Sequence, residues 1–505
     1  MATGTSGLNN KPAIAPSGPW TGFARFFTLA SGGAFVLSLS GVPAAWAAQT
    51  QFTPIISISE TYTDNVKLAP PGLEKSDWVT EARAGFSYAG VGRRAQANIR
   101  YTPSLFIFAR QNETDLRHDL SSSGRVELAE DHFFINGSAA AYETFAGSDR
   151  DISISDRNIS EDRIQVFSYS VTPELVNRFG STATATLQYA FQRVENEAPK
   201  DPSVVGIADS SNNSLSLAVR SGEDFQRLRW TVNSRWRKED RSGSAVNVTD
   251  KSLDANGSYN INRTVALTAG LGYRDYSYGG QSSDLSGATW DVGVRLTPSR
   301  RANLSVAYGK DQSNKHWTVS GSYLPDARTQ AQISYNETYQ TSQNLEIGDL
   351  PSVGAAPSTP GIGGAFDFFD RTDIPGNRLT DRVFLQKRFS ASLRHSFRHT
   401  TVLLSAATED RDYDGGTSET VKRGTVQLTH RFNRLVSATA SGTYLNRDEL
   451  SGREDDIYFA SVYLSRVLVG NASVFVSYDY TRRDSNIFLF DMRENAYTAG
   501  LTASF

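Results

Sequence analysis

Along most of its length the chain alternates apolar residues with polar or small ones. In "NASVFVSYDYTRR", Ala472, Val474, Val476, Tyr478 and Tyr480 share one face, opposite Ser473, Phe475, Ser477, Asp479 and Thr481. "STATATLQYAFQRV" does the same, with Ala183, Ala185, Leu187, Tyr189 and Phe191 opposite Thr184, Thr186, Gln188, Ala190 and Gln192. "ANLSVAYGK", "TVALTAGLGYRDY" and "LVSATASGTYLNR" repeat the scheme. A period of two belongs to strands, and helical spacing is nearly absent, so the pattern predicts strands of about 10 to 14 residues.

Two kinds of connection take turns between these segments. Short ones fall near residues 91–93, 130–132, 176–180, 223–225, 262–263, 298–300, 325–327, 398–399, 432–434 and 469–471, in stretches such as "VNRFGS", "NINRT", "TPSRRA" and "RFNRL". Long, acidic, Gly- or Ser-rich ones lie between them, including "VENEAPKDPSVVGIADSSNN" and the stretch from Thr341 to Thr380. Ten short turns alternating with eleven long loops imply about 22 antiparallel strands.

The faces decide between a water-soluble sandwich or propeller and a membrane barrel. One face is rich in Leu, Val, Ala and Tyr, the other in Ser, Thr, Gln, Gly and Arg, so nothing apolar remains to fill an interior. An outward apolar band around a polar lumen is the pattern of a transmembrane barrel. Tyr189, Tyr273, Tyr308, Tyr335, Tyr444 and Tyr478 recur towards the loop ends of strands, where an aromatic girdle meets headgroups. The expected fold is all-β: one antiparallel up-and-down barrel with long extracellular loops and short periplasmic turns.

The two ends of the chain agree with an exported barrel. Residues 1–47 carry Lys11 and Arg25 without an acid, then "FFTLASGGAFVLSLSGV", then Ala45 and Ala47 spaced as a cleavage site. They read as a signal peptide cleaved after Ala47, leaving 48–505 as the barrel. Its removal moves the formal charge from −3 to −5, a poor balance for binding nucleic acid. The chain has no cysteine, which excludes disulfides and thiolate chemistry. The last strand places Tyr497, Leu501 and Phe505 on one face and resembles the C-terminal assembly signal that the bacterial barrel-insertion machinery reads. The expected location is the outer membrane of a Gram-negative cell, with both termini in the periplasm.

Three pieces carry a family resemblance: "ETYTDNV" at Glu60–Val66, "SDWVTE" at Ser76–Glu81 and "TPELVNRFG" at Thr172–Gly180. With these the chain resembles the PEP-CTERM system-associated outer-membrane protein family, over nearly the whole mature length and most strongly before residue 200. Ala84-Gly85 stands where that pattern has Pro-Gly. The resemblance implies an outer-membrane barrel associated with exopolysaccharide biosynthesis and export. No helical repeat scaffold precedes the strands, so any periplasmic export partner is expected to be a separate protein.

Alternation also nominates residues for the lumen. In "RLRWTVNSRWRKED" the apolar Leu228, Trp230, Val232 and Trp236 turn Arg227, Arg229, Arg235 and Arg237 inward. The same reading places Arg83, Arg94, Arg100, Arg295, Arg388 and Arg394 on the pore wall. Basic rings favour anions, and an acidic polysaccharide suits them; the alternative is an ordinary wall of Arg paired with Asp and Glu. Phe366, Phe368 and Phe369 tip the longest loop and are candidates for a constriction or a sugar contact, against an ordinary surface loop. The acids of "TEDRDYDGG" and "REDD" lack the spaced pattern of a calcium loop and read as solvated charge. The six histidines lack a partner motif for catalysis, so no enzyme, metal or cofactor is expected. Lipid, lipopolysaccharide and the barrel assembly machinery are the expected partners, with polysaccharide and separate export proteins besides. The expected function is an exopolysaccharide export channel or accessory; a general solute porin and a surface adhesin or anchor with a plugged lumen are the alternatives.

Overall fold

The computed structural model describes residues 49–145, 153, 155, 157–159, 163–198, 207–243, 246–279, 285–311, 314–341, 344–345, 382–413, 416–468 and 470–505. Residues 1–47, read from the sequence as a signal peptide, and the Phe366, Phe368 and Phe369 cluster lie outside the described residues. The strands begin with β1 (Gln49–Thr63), β2 (Asp77–Val91), β3 (Ala95–Tyr101), β4 (Ser104–Phe108), β5 (Glu113–Arg117) and β6 (Leu120–Ala129). They continue as β7 (Phe133–Phe145), β8 (Arg163–Phe179), β9 (Ala183–Asn196), β10 (Ser210–Ser221), β11 (Leu228–Arg241) and β12 (Val248–Asn260). Next come β13 (Val265–Tyr278), β14 (Leu285–Ser299), β15 (Ala302–Asp311), β16 (Asn314–Tyr323), β17 (Thr329–Gln340) and β18 (Phe384–Ser396). The last are β19 (Thr400–Tyr413), β20 (Thr417–Arg431), β21 (Val436–Asp448), β22 (Glu454–Val467), β23 (Ala472–Ser485) and β24 (Met492–Ser504).

Each strand pairs antiparallel with its neighbours in space, and β24 returns to β1 in a register from Ile55↔Ser504 to Thr63↔Ala496, which closes the sheet. The segments make a barrel of 22 staves, because two staves are interrupted. β3 and β4 both pair with β2 and are separated at Thr102-Pro103, where the proline has no N–H to give the ladder. The neighbouring stave breaks between β5 and β6 at His118-Asp119. There a side chain replaces the missing backbone partner: Gln165 Oε1 accepts the His118 N–H at 2.9 Å and Gln165 Nε2 donates to the His118 carbonyl at 2.9 Å.

All ten short connections form as the sequence suggests, with two displaced: β14 runs on to Ser299, so its turn lies at 300–301, and β8 runs on to Phe179, so its turn lies at 180–182, where Gly180 takes φ +57°. Side chains build several turns. Asn262 Oδ1 accepts the N–H groups of Thr264 and Val265 at 2.8 and 2.9 Å, and Asn433 Oδ1 does the same for Leu435 and Val436. Asp326 repeats the device with Arg328 and Thr329, and those N–H donors hold its carboxyl below the ordinary range. The opposite end departs from the expectation of eleven long loops. Its connections range from two residues, 312–313, to the stretch 341–383, because hairpins such as β19–β20 stay paired almost to the tip, at Tyr413↔Thr417.

The outer face is apolar. Leu271 is 70% exposed and Val292 54%, a band that only lipid would cover. The six tyrosines named from the sequence all point outward, and partners join them: Tyr444 against Tyr458, Tyr478 against Tyr497, and Trp290, Tyr308 and Trp317 in a row. A second girdle at the short-turn end includes Tyr259, Tyr323, Phe397 and Phe432. Inside, hydroxyls ladder across strands, as in Ser57–Thr502 at 2.9 Å and Thr61–Thr498 at 2.8 Å. Tyr497, Leu501 and Phe505 line the outside of the closing strand, and the Phe505 N–H donates to the Pro54 carbonyl at 3.1 Å.

Sidedness is directly testable. Leu271→Arg, facing lipid at the middle of β13, is expected to cost about 2–4 kcal/mol in urea unfolding from lipid vesicles, whereas inward Asn256→Arg on β12 is expected to cost little.

Candidate functional site: the lumen

Inward positions divide by height. Near the long-loop end, charged side chains are buried and paired. Glu81 on β2 accepts from Arg83 at 2.6 Å, Arg157 at 2.9 Å and Ser59 at 3.2 Å. Arg117 meets Asp115 at 2.9 Å and Glu143 at 3.2 Å, with its guanidinium 4.1 Å from the Phe106 ring centre. Around β18–β22 the pairs are Arg411–Glu409 at 2.7 Å, Arg447–Glu419 at 3.2 Å and Arg453–Asp455 at 3.0 Å. On β12–β15, Arg274 bridges Asp250 at 3.0 Å and Asp311 at 3.3 Å. Burying these charges is tolerable because each has a partner of opposite sign.

Two connections lean into this paired zone. Of the connection between β7 and β8, the described residues Ser153, Ser155 and Arg157–Ile159 form a strap inside the barrel, with Ser153, Ser155, Arg157 and Asn158 all buried. The Ser153 hydroxyl donates to Glu494 on β24, Arg157 is held by Glu81, Asn158 by Arg117 and Arg163, and the Ile159 N–H donates to the Val66 carbonyl at 2.8 Å. Ile159 also packs on the inward apolar group of Val66, Val79, Phe106 and Phe108. On the other side β17 follows β16 only over Ala331–Tyr335, opposite Val319–Tyr323, and then departs. Its tip reaches β11, where Thr341 donates to Glu239 at 3.1 Å and Arg237 donates to Asn344, while Tyr339 stacks on Tyr276 at 5.8 Å.

The arginines named from the sequence meet different fates. Arg83 and Arg100 are inward and largely buried, and Arg83 also donates to Ser104 at 2.9 Å. Arg388 is inward, 4.0 Å from Glu409. Arg237 is inward but buried beside Asp250 at 3.8 Å, which removes it from the open pore. Arg94 and Arg227 lie in short turns, so the structure places them on the rim; Arg94 pairs with Glu130 at 3.0 Å. Arg229, Arg235, Arg295 and Arg394 face the lumen and are exposed, and among the described residues none has an ion-pair partner. Arg220, which the reading of the sequence did not name, joins them on β10; Leu215, Leu217 and Val219 facing out are the signal that places it. The strap was not foreseen either, since it has no periodicity.

The short-turn half of the lumen between β10 and β18 is therefore open and basic. Its mid-height acids have local partners or neighbours: Asp254 accepts from Asn233 and Asn256 at 2.8 Å each, and Asp291 lies against Gly270. The histidines sit elsewhere. His395 meets Thr329 and His430 meets Thr400, each at 2.8 Å, and each ring packs against the Phe two residues on. Both belong to the outward girdle of the short-turn end.

A closed antiparallel barrel with an apolar band between aromatic girdles and its charge inside is an outer-membrane β-barrel. Residues 385–505, from β18 to the C-terminus, match the family described as "Putative beta-barrel porin 2". No curated protein matches the chain. Among solved structures it is similar to the siderophore receptor PirA from Acinetobacter baumannii, with TM-score 0.53 and 11% identity over 90% of this chain and 81% of that one. It is also similar to the FrpB iron transporter from Neisseria meningitidis, with TM-score 0.51 and 10% identity over 91% and 83%. These likenesses show the fold.

Ser153 and Arg157 anchor the strap inside the barrel. Replacing both, Ser153→Ala with Arg157→Ala, is expected to raise single-channel conductance in planar bilayers and to lower stability by about 1–3 kcal/mol, since the buried Glu494 and Glu81 each lose a donor while Arg83 still pairs with Glu81.

Proposed function

We propose that the protein is an outer-membrane channel that favours anions, with its short turns and both termini in the periplasm and its longer connections outside. The observation that carries this reading is the set Arg220, Arg229, Arg235, Arg295 and Arg394: inward, exposed and without ion-pair partners among the described residues. Fixed positive charge in a low-dielectric wall raises the local concentration of anions and lowers their barrier to entry. The resemblance to barrels of exopolysaccharide loci supplies the cargo, an acidic polysaccharide pushed outward by its synthesis. PirA and FrpB are named for siderophore and iron transport, and their likeness adds no cargo to this reading.

Selectivity tests the channel. In a salt gradient across a planar bilayer the wild type is expected to show an anion-selective reversal potential. Arg229→Gln, Arg235→Gln and Arg295→Gln together are expected to shift it towards cations while leaving the barrel folded, because lumenal substitutions tune selectivity at little cost. An unchanged potential would sink the basic-pore reading and leave a general solute porin; no conductance at all would favour an anchor. Deleting the gene and measuring polysaccharide separately in the medium and the periplasm tests the cargo, with lost secretion and periplasmic accumulation as the expected result.

A further inference from the structure

The basic wall does not stop at the strand ends. Consecutive short turns on the same side carry Arg263, Arg300, Arg301, Arg328, Arg398 and Arg434, all exposed and all without an ion-pair partner among the described residues. Successive turns are two strands on, about 10 Å apart, close to the Debye length at physiological salt, so their potentials overlap into one field. The acids along this arc are Glu223, Asp224 and Asp326, and the Asp326 carboxylate is engaged by its own turn. Across the mouth the rim arginines are paired: Arg93 and Arg94 share Glu130 at 3.2 and 3.0 Å, and Arg178 meets Asp131 at 3.8 Å. The arc is also continuous with the lumen. Arg229 follows Arg227 by two residues, about 7 Å of strand, and Arg394 precedes Arg398 by four.

We infer that this rim is a docking site for a polyanionic chain, which it hands to the arginines of the wall over β10–β18. The inference rests on the channel reading above and adds to it a capture site, a side of entry and a ligand class: a polymer with repeated carboxylate or other anionic groups. Anionic lipid headgroups share the chemistry and would satisfy the rim alone. They do not reach inward arginines, and it is the continuity of rim and wall that favours a threaded polymer.

The test is current block of the full-length protein in oriented planar bilayers. Polygalacturonate and neutral dextran of matched size are added on the short-turn side and, separately, on the long-loop side. Polygalacturonate is expected to block from the short-turn side at about one tenth of the dextran concentration or less. Arg263→Gln, Arg300→Gln, Arg328→Gln and Arg398→Gln together are expected to raise its half-blocking concentration about tenfold or more, and to leave block from the long-loop side unchanged. These side chains lie in exposed turns, and retention of the folded band in unboiled gel samples confirms the barrel. Equal block by dextran, or polygalacturonate block that ignores the rim substitutions, overturns the inference; the second result assigns the arc to lipid headgroups. A wild type without anion preference whose polymer block still depends on the rim would remove the small-anion reading and keep this site.

Discussion

Everything in this structure depends on one constraint: a backbone that crosses hydrocarbon has no water to bond with. Each N–H and C=O must find a partner in the protein, and a sheet meets that demand only if it has no edge. Pairing of β24 with β1 removes the edge, and the outward apolar band and inward polarity follow because each strand then has one face in lipid and one in water. Even the exceptions obey. Where Pro103 and the His118-Asp119 break interrupt two staves, the Thr102 N–H finds the Asp119 carbonyl and Gln165 bonds both main-chain groups of His118.

Closure makes the lumen a sheltered place for charge, and the chain uses its two halves differently. Towards the long-loop end, arginines and carboxylates neutralise each other and the strap and the tip of β17 are fastened among them. Such pairs contribute position more than net stability. Towards the short turns the arginines face water with few acids nearby, so their field remains available to a solute. The two zones share one wall and one alphabet of side chains, yet one acts as mortar and the other as a charged surface.

Much of this was legible in the sequence because a period of two is a strong signal and each short turn carries its own chemistry, as Asn262, Asp326 and Asn433 show. Which face a residue occupies follows from parity alone, so the outward tyrosines and inward arginines were readable. Height along the barrel was not. Arg235 and Arg237 have the same parity two residues apart, yet one is exposed and the other lies beside Asp250, because only the fold brings β12 and Asn344 to that level. Arg94 and Arg227 slipped from wall to rim because parity carries no information about where a strand ends. The placement of Ser153 and Arg157 was invisible for a deeper reason: it is set by Glu494 and Glu81, acids far away in the sequence, and by no local pattern.

The seam between the first and last strands also has a consequence in time. The hydroxyls of Ser57 and Thr502 bond across a sequence separation of 445 residues, so the contact that completes the barrel is among the most non-local the chain allows. Loop-closure entropy opposes such contacts until nearly all local hairpins exist, which makes the seam the last element to form. Until then both β1 and β24 present open edges capable of pairing with any other strand. Pairing along the seam, from Ile55↔Ser504 to Thr63↔Ala496, is thus the step that withdraws both edges from such partners at once.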